Sequence, residues 1–463
     1  MEFFNKATYY FIREHRNDDV RKLAFMGDKY PDVDMPMALD QIAGWQTARQ
    51  KLPSLAAVDG IIYPPHINME QCSSEQTARY KASLCSLLTA SSSSSVTLID
   101  LTGGFGIDFS FMSRVFPHAI YVEPNERLSE IVEQNLRKIK TKASSGSHEG
   151  GGKENTFVVF NATAEDFLNK VLASHSSISA FITDTNNRAT PTSHFFFTPP
   201  LGKPEEVLRE PASVVFFFDP SRRDANGHKV VSLSDCVPNV LELLPQIDKI
   251  GTWLMLKLSP MLDWHEAVRE INQTSRKEGC ALTVKEVHVV SVKNECKELL
   301  LVADKTEARP LRIVCVNDSQ VFSFTADDKS ATLRIASPDE VRTAEYLYEP
   351  NASVMKVGGF AAISSKYDVK AVSGNSHLFV SSHSIDDFPG RSFRIMAVSS
   401  MNKKELRRNM AGFEKCNIAV RNFPMNVVAL RRRLKVADGG DVYIFGTTLQ
   451  NASHVLIITK KDV

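Results

Sequence analysis

The stretch Val96-Thr97-Leu98-Ile99-Asp100-Leu101-Thr102-Gly103-Gly104-Phe105-Gly106-Ile107-Asp108 runs from a β-branched segment through an acid into a Gly-rich turn, then into a helical pattern. That order predicts a buried strand, a tight turn and a helix. It also puts backbone N–H groups and a carboxylate at the carboxyl end of the strand, where open α/β sheets take small ligands. A dinucleotide fingerprint, G-x-G-x-x-G, needs a third Gly at the position held by Phe109. A pyrophosphate also has no use for an acid at Asp100. A tight turn with no ligand is the alternative.

S-adenosylmethionine (SAM) has no pyrophosphate, and its sulfonium and α-amino group are cationic. An acid beside a Gly loop suits both. Asp100-Leu-Thr102-Gly103-Gly104-Phe-Gly106 resembles motif I of the class I SAM-dependent methyltransferases, with Thr102 where that family commonly has Gly. The resemblance implies that Asp100, Thr102, Gly103, Gly104 and Gly106 contact SAM. Ala119-Ile-Tyr-Val-Glu123-Pro124 reads as a second strand ending in an acid. Glu123 stands 19 residues after Gly104, near the spacing of a carboxylate that accepts from ribose hydroxyls. Phe157–Phe160 reads as a third strand. After it, Ala162-Thr163-Ala164-Glu165-Asp166 resembles the segment that lies near adenine in these enzymes, with Thr163 in the place of Asp.

A fourth strand, Val214–Phe218, ends in Asp219-Pro220-Ser221-Arg222-Arg223-Asp224. The family's motif IV faces the methyl group from this position. Asp219 is the candidate proton acceptor, and Arg222 is the candidate clamp for a substrate phosphate or carboxylate. Ser221 and Arg222 replace the Pro and aromatic usual for amine methylation on bases. An ion pair of Arg222 or Arg223 with Asp219 or Asp224 is equally open. Thr252–Lys257 reads as a fifth strand. Val284–Val292 and Glu298–Val302 flank a polar turn, as the terminal hairpin of a seven-stranded methyltransferase sheet requires. The resemblance covers roughly residues 86–304.

Residues 1–85 read as a helical region broken by Pro31, Pro36 and Pro53. Ser73 with Gln76 has capping-box spacing and predicts a helix start there. The helix just before motif I often covers the methionine end of SAM in the family, so Gln71, Ser74 and Thr77 are candidates for that role. The serine run ending at Ser95, the Gly/Ser-rich 144–154 and residues 173–211 read as insertions.

After Asp304 the pattern becomes a small α+β module over 305–390, of roughly ferredoxin-like size. Its signals are a hairpin at Leu311–Val316 and Val321–Phe324, and a helix opened by Asn351. Beyond it, Arg421-Asn-Phe-Pro424, Leu430-Arg-Arg-Arg-Leu434 and Gly439-Gly-Asp-Val-Tyr-Ile-Phe445 are similar to the THUMP-like region of a bacterial methyltransferase family. Residues 391–463 hold 14 Lys and Arg against five Asp and Glu, a net +9 within a chain of net +1. A basic end on a neutral chain suggests a polyanion partner. With the THUMP resemblance, that partner is RNA, contacted by Arg407, Arg408, Arg421, Arg431, Arg432 and Arg433. A solvated basic face is the alternative.

Composition narrows the class. At 463 residues, 43% apolar and 24% charged, the chain reads as an ordinary globular protein of about three domains by length. No apolar run reaches the length of about 18 residues needed to span a membrane, and the N-terminus has no signal-peptide layout. Seven Cys without a C-x-x-C pair fit a reducing cytoplasm and no metal site. The expected architecture is α/β: a Rossmann-like seven-stranded class I methyltransferase sheet, with an N-terminal helical region and C-terminal ferredoxin-like and THUMP-like α+β modules. The expected activity is SAM-dependent methylation of an RNA. A noncatalytic SAM-containing RNA-binding factor and a protein or small-molecule methyltransferase stay open, as do the methylated atom and the oligomeric state.

Overall fold

The computed structural model describes residues 3–90, 96–145, 156–173, 213–221, 232–326 and 332–461. The chain forms two compact units. The first is Met1–Val284 with Leu300–Glu307, and the second is Lys285–Leu299 with Ala308–Val463.

The first unit opens with helices. Lys6–His15 and Met35–Lys51 are capped by Asn5 and Asp34, whose side chains accept from the N–H groups of Thr8 and Met37. Phe11, Leu23, Met35, Ala38 and Ile42 form their core. Helix Glu75–Ala90 leads into the sheet. In its first turn Ser74 Oγ accepts from Thr77 N–H at 3.2 Å, one residue after the expected start at Ser73.

Strands β1 (Val96–Asp100), β2 (His118–Glu123), β3 (Thr156–Asn161), β4 (Ser213–Phe218) and β5 (Trp253–Leu258) follow, with helices between them. All five residues of β1 are buried, as a parallel strand covered on both faces demands. Strands β1–β2, β1–β4, β2–β3 and β4–β5 pair in parallel. Register fixes the edge: Asp100 lies opposite Tyr121 on one side and Phe217 on the other. Glu123 and Asp219, each two residues further on, therefore emerge at the same carboxyl edge as Asp100.

The hairpin β6 (Thr283–Val292) and β7 (Glu295–Asp304) comes next, with β8 (Arg312–Asn317) and β9 (Gln320–Thr325) after it. The strand order is β3-β2-β1-β4-β5-β7-β6-β8-β9. The seven expected strands are present in the methyltransferase order, extended by two. The hairpin β8–β9, expected within the small module, instead adds β8 in parallel to β6.

The second unit also holds β10 (Tyr346–Pro350), β11 (Lys370–Ala371), β12 (Phe379–Ser381), β13 (Gly390–Ser400), β14 (Asn417–Arg421), β15 (Val442–Thr448) and β16 (His454–Lys461). They form one sheet of order β11-β12-β10-β13-β16-β15-β14. Helices Ala352–Val357, Lys403–Asn409 and Val427–Leu434 accompany it, each capped by an Asn side chain. Phe393, Phe445 and Ile457 anchor one of its cores, and Leu430, Ile444 and Leu456 the other. No helix among the described residues is long and apolar enough to cross a membrane.

The turn after β1 is packed without slack. Gly103 donates to Val122 O at 2.9 Å, and a Cβ on it would lie 2.1 Å from the buried ring of Tyr121. Gly103→Ala should therefore destabilise the protein by about 1–3 kcal/mol through overpacking. Gly27→Ala, with nothing within 4 Å of its Cβ, should stay within about 0.5 kcal/mol. Denaturant unfolding of the two variants checks this.

Candidate cofactor and catalytic site

The loop after β1 is held from below. Tyr121 Oη donates to Gly104 O at 2.5 Å, and Gly106 N–H donates to Gly103 O at 2.8 Å. Gly104 has φ +54, a left-handed conformation that favours glycine, and its own Cβ would meet nothing nearer than 3.8 Å. The outer face of the loop is thus open. Asp100 is buried, and its Oδ1 accepts from Thr102 N–H at 3.0 Å. Glu123 accepts from Gly104 N–H through Oε2 and from Asn125 N–H through Oε1, both at 2.9 Å. Thr102 faces the neighbouring strand: its Oγ1 accepts from Asp219 N–H at 2.6 Å.

Behind this loop lies a buried charge cluster. Asp108, in the first turn of helix Ile107–Met112, lies 3.1 Å from Lys81 Nζ and 3.3 Å from Lys257 Nζ, and accepts from Ser73 Oγ at 2.7 Å. Lys257, near the end of β5, also donates to Ser73 Oγ at 2.9 Å and to Asp219 Oδ2 at 2.6 Å. Side-chain exposure is 0% at Lys81, 10% at Asp108 and 11% at Lys257, but 35% at Asp219, so Asp219 is the end of the cluster that opens outward. Buried ions survive only when paired. Here two ammonium groups face two carboxylates.

The electrostatics divide the edge in two. Burial alone would raise the Asp108 carboxyl, but Lys81, Lys257 and the Ser73 hydroxyl hold it below the usual carboxylate range. Burial pushes the Asp219 carboxyl up, and Lys257 pulls the other way. Burial pushes Asp100 well above its ordinary value; Thr102 N–H opposes this, while Asp108, Asp219 and Glu123 add to it. Glu123 is likewise raised by burial, against the N–H groups of Asn125 and Gly104. Asp100 and Glu123 form no ion pair among the described residues, so no side-chain cation there balances them when they ionise. These two carboxyl acceptors suit a cationic ligand bearing hydroxyls and oppose a pyrophosphate.

The other sequence candidates fall in several places. Ser74 and Thr77 bond to each other at the start of their helix, Thr77 is buried, and Gln71 is exposed. Thr163 Oγ1 accepts from Asp166 N–H at 3.1 Å as a helix cap, with Ala164 buried beside it. Arg222 lies outside the described residues, as does most of the 173–211 insertion. In the second unit, Arg421 donates to Glu349 Oε1 at 2.6 Å, Arg431 pairs with Asp438 at 2.6 Å, and Arg433 reaches Met401 O at 3.3 Å. Arg421 and Arg431 thus each meet a carboxylate of the second unit. Arg407, Arg408, Arg432 and Arg433 are exposed.

Sequence reading gave no role to Lys81, Asp108 or Lys257 and read Ser73 only as a cap. The signal was a lysine closing the apolar run Trp253–Leu256, a context in which a cation needs a partner. Among the described residues, no group of three or more His, Cys, Asp or Glu could hold a metal ion.

A methyltransferase candidate of known structure from Porphyromonas gingivalis W83 superposes on this chain with a TM-score of 0.74 at 24% identity, over 100% of both chains. The fold is that of the class I methyltransferases. Residues 390–461 match the THUMP domain-like family and residues 346–389 match a ferredoxin-like domain family. An RNA methyltransferase candidate from Pyrococcus horikoshii covers 56% of this chain and 99% of its own, with a TM-score of 0.31 at 13% identity. A SAM-dependent methyltransferase from Agrobacterium tumefaciens covers 50% of this chain and 62% of its own, with a TM-score of 0.31 at 12% identity. The fold assignment rests on the first of the three. The chain has no match among curated protein sequences.

The raised carboxyls at Asp100 and Glu123 set a pH dependence. Their folded-state values lie above the unfolded ones, so ionising them costs stability as pH rises through that window. A cationic ligand binds the ionised forms. Affinity for a cationic ligand, with SAM as the probe, should therefore fall as pH drops from 7 toward the carboxylate range near about 4.3. S-adenosylhomocysteine, which lacks the sulfonium charge, should lose less. Calorimetric titration of both ligands across that range checks the difference.

Proposed function

We propose that this protein is a SAM-dependent methyltransferase whose acceptor is RNA. The carrying observation is the placement of two carboxyls, Asp100 and Glu123, on an open Gly loop with no cationic side-chain partner among the described residues, and of Asp219 at the same edge. In this reading Asp100, Gly103, Gly104, Gly106 and Glu123 hold the cofactor. Thr163 and Ala164 border the adenine, and Gln71, Ser74 and Thr77 border the methionine end. SAM supplies an electrophilic methyl group. Thr102 works indirectly: its hydroxyl fixes the backbone of Asp219.

Asp219 takes the proton of the acceptor atom through its half-buried carboxylate, while Lys257 at 2.6 Å orients it. Arg222 clamps a phosphate near the acceptor. Most of the rate comes from alignment of the reacting atoms in a site closed to water. The THUMP-like match and the basic end support RNA as the acceptor. Arg407, Arg408, Arg432 and Arg433 are the exposed phosphate contacts, and the carboxylate-paired Arg421 and Arg431 shape the surface around them.

Incubation with tritiated SAM and fractionated cellular RNA tests the reading. Label should enter RNA and not protein. Asp219→Asn should cut turnover by roughly 10²–10⁴-fold and leave SAM affinity nearly unchanged. The triple variant Arg407→Glu, Arg408→Glu, Arg432→Glu should weaken RNA binding and flatten its salt dependence. Wild-type transfer by Asp219→Asn would make that residue structural. SAM binding with no acceptor in any fraction would favour a noncatalytic RNA factor.

A further inference from the structure

The second unit contains a cavity of about 410 Å³, within the size range of small-ligand sites. Asn294, Glu349, Pro350, Met355, Lys356 and Arg421 line it. These residues come from the β6–β7 turn, the end of β10, the following short helix and the end of β14. Nothing in the methyl-transfer reading uses them together.

The cavity's charge is unbalanced toward the positive. Glu349 is the carboxylate in its lining, with a side chain only 5% exposed, and both its oxygens are already taken. Arg391 Nε donates to Oε2 at 2.9 Å and Arg421 Nη2 donates to Oε1 at 2.6 Å. Two guanidinium groups thus share one carboxylate. Lys356 adds a third cation, and no described carboxylate pairs with its ammonium. Arg421 Nη1 donates to Val420 O at 3.0 Å, but its buried Nε–H has no acceptor among the described residues. A buried guanidinium N–H without a partner marks a place where an acceptor is missing.

The remaining wall is different. Pro350 and Met355 offer an apolar surface on which a flat ring can lie. Asn294 accepts from Ala352 N–H through Oδ1 at 2.7 Å, which leaves its NH2 as a donor. An anion site, an apolar wall and one amide donor together describe a phosphorylated nucleoside.

We propose that this cavity binds a nucleoside monophosphate unit, with the phosphate on Lys356 and Arg421 and the base against Pro350 and Met355. Asn294 donates to a base carbonyl. The unit is either a free nucleotide or one nucleotide of a bound RNA. The site lies wholly in the second unit and does not depend on SAM or on Asp219.

The test is calorimetry on the full chain at low salt, with uridine 5′-monophosphate, uridine and inorganic phosphate as separate probes. The monophosphate should bind at least about tenfold tighter than either fragment. Lys356→Ala should weaken it by about tenfold, and Lys356→Arg should restore it. Saturating S-adenosylhomocysteine should leave its affinity unchanged. A short oligouridine that competes with the monophosphate at lower concentration assigns the site to RNA; failure to compete assigns it to free nucleotide. No binding of the monophosphate at millimolar concentration, or equal binding by Lys356→Ala, overturns the proposal. Phosphate binding as tightly as the monophosphate removes the nucleoside. Displacement by S-adenosylhomocysteine moves the binding to the β1–β2 edge and also overturns it.

Discussion

Asp108 sits between the ammonium groups of Lys81 and Lys257, and this interaction joins the parts of the first unit that matter. Lys81 belongs to the helix that precedes the sheet, Asp108 to the helix after the Gly loop, and Lys257 to β5, whose ammonium continues to Asp219 beyond β4. Ser73 ties the chain before the first helix into the same cluster. Each charge is buried at a cost that only its partners offset. Removing one member would leave an opposite charge stranded, which binds these elements to one arrangement.

That arrangement also sorts the charges at the carboxyl edge. The lysines satisfy Asp108 and steady Asp219, but they do not pair with Asp100 or Glu123. Those two carboxyls are pushed upward by burial and stay without a cation among the described residues. A sulfonium-bearing ligand supplies what is missing, and a pyrophosphate would add to the repulsion. The choice between two nucleotide cofactors thus reduces to the sign of charge the edge lacks.

The parallel sheet was legible because its strands are continuous apolar runs closed by an acid, and Asp100, Glu123 and Asp219 stand at such ends. Parallel register then brings them together without further information. The lysine cluster was not legible, since it joins residues far apart in sequence and follows no helical or strand period. The part Ser73 plays beyond a helix start was hidden for the same reason: its hydroxyl accepts from Lys257 and donates to Asp108, both distant in sequence. The pairing of Arg421 with Glu349, across 72 positions, was equally hidden behind a count of basic residues. The β8–β9 hairpin carries the same local signal whichever sheet it joins, so its addition to β6 could not be read from the pattern alone.

The central claim is that the open Gly loop and its two unpaired carboxyls select a cationic nucleoside ligand. Isothermal titration of the full chain with SAM, its neutral analogue sinefungin N-acetylated at the δ-amine, and NAD measures that selection directly. The account predicts binding of SAM, weaker binding of the neutral analogue, and no binding of NAD. Binding of NAD with SAM excluded would contradict it.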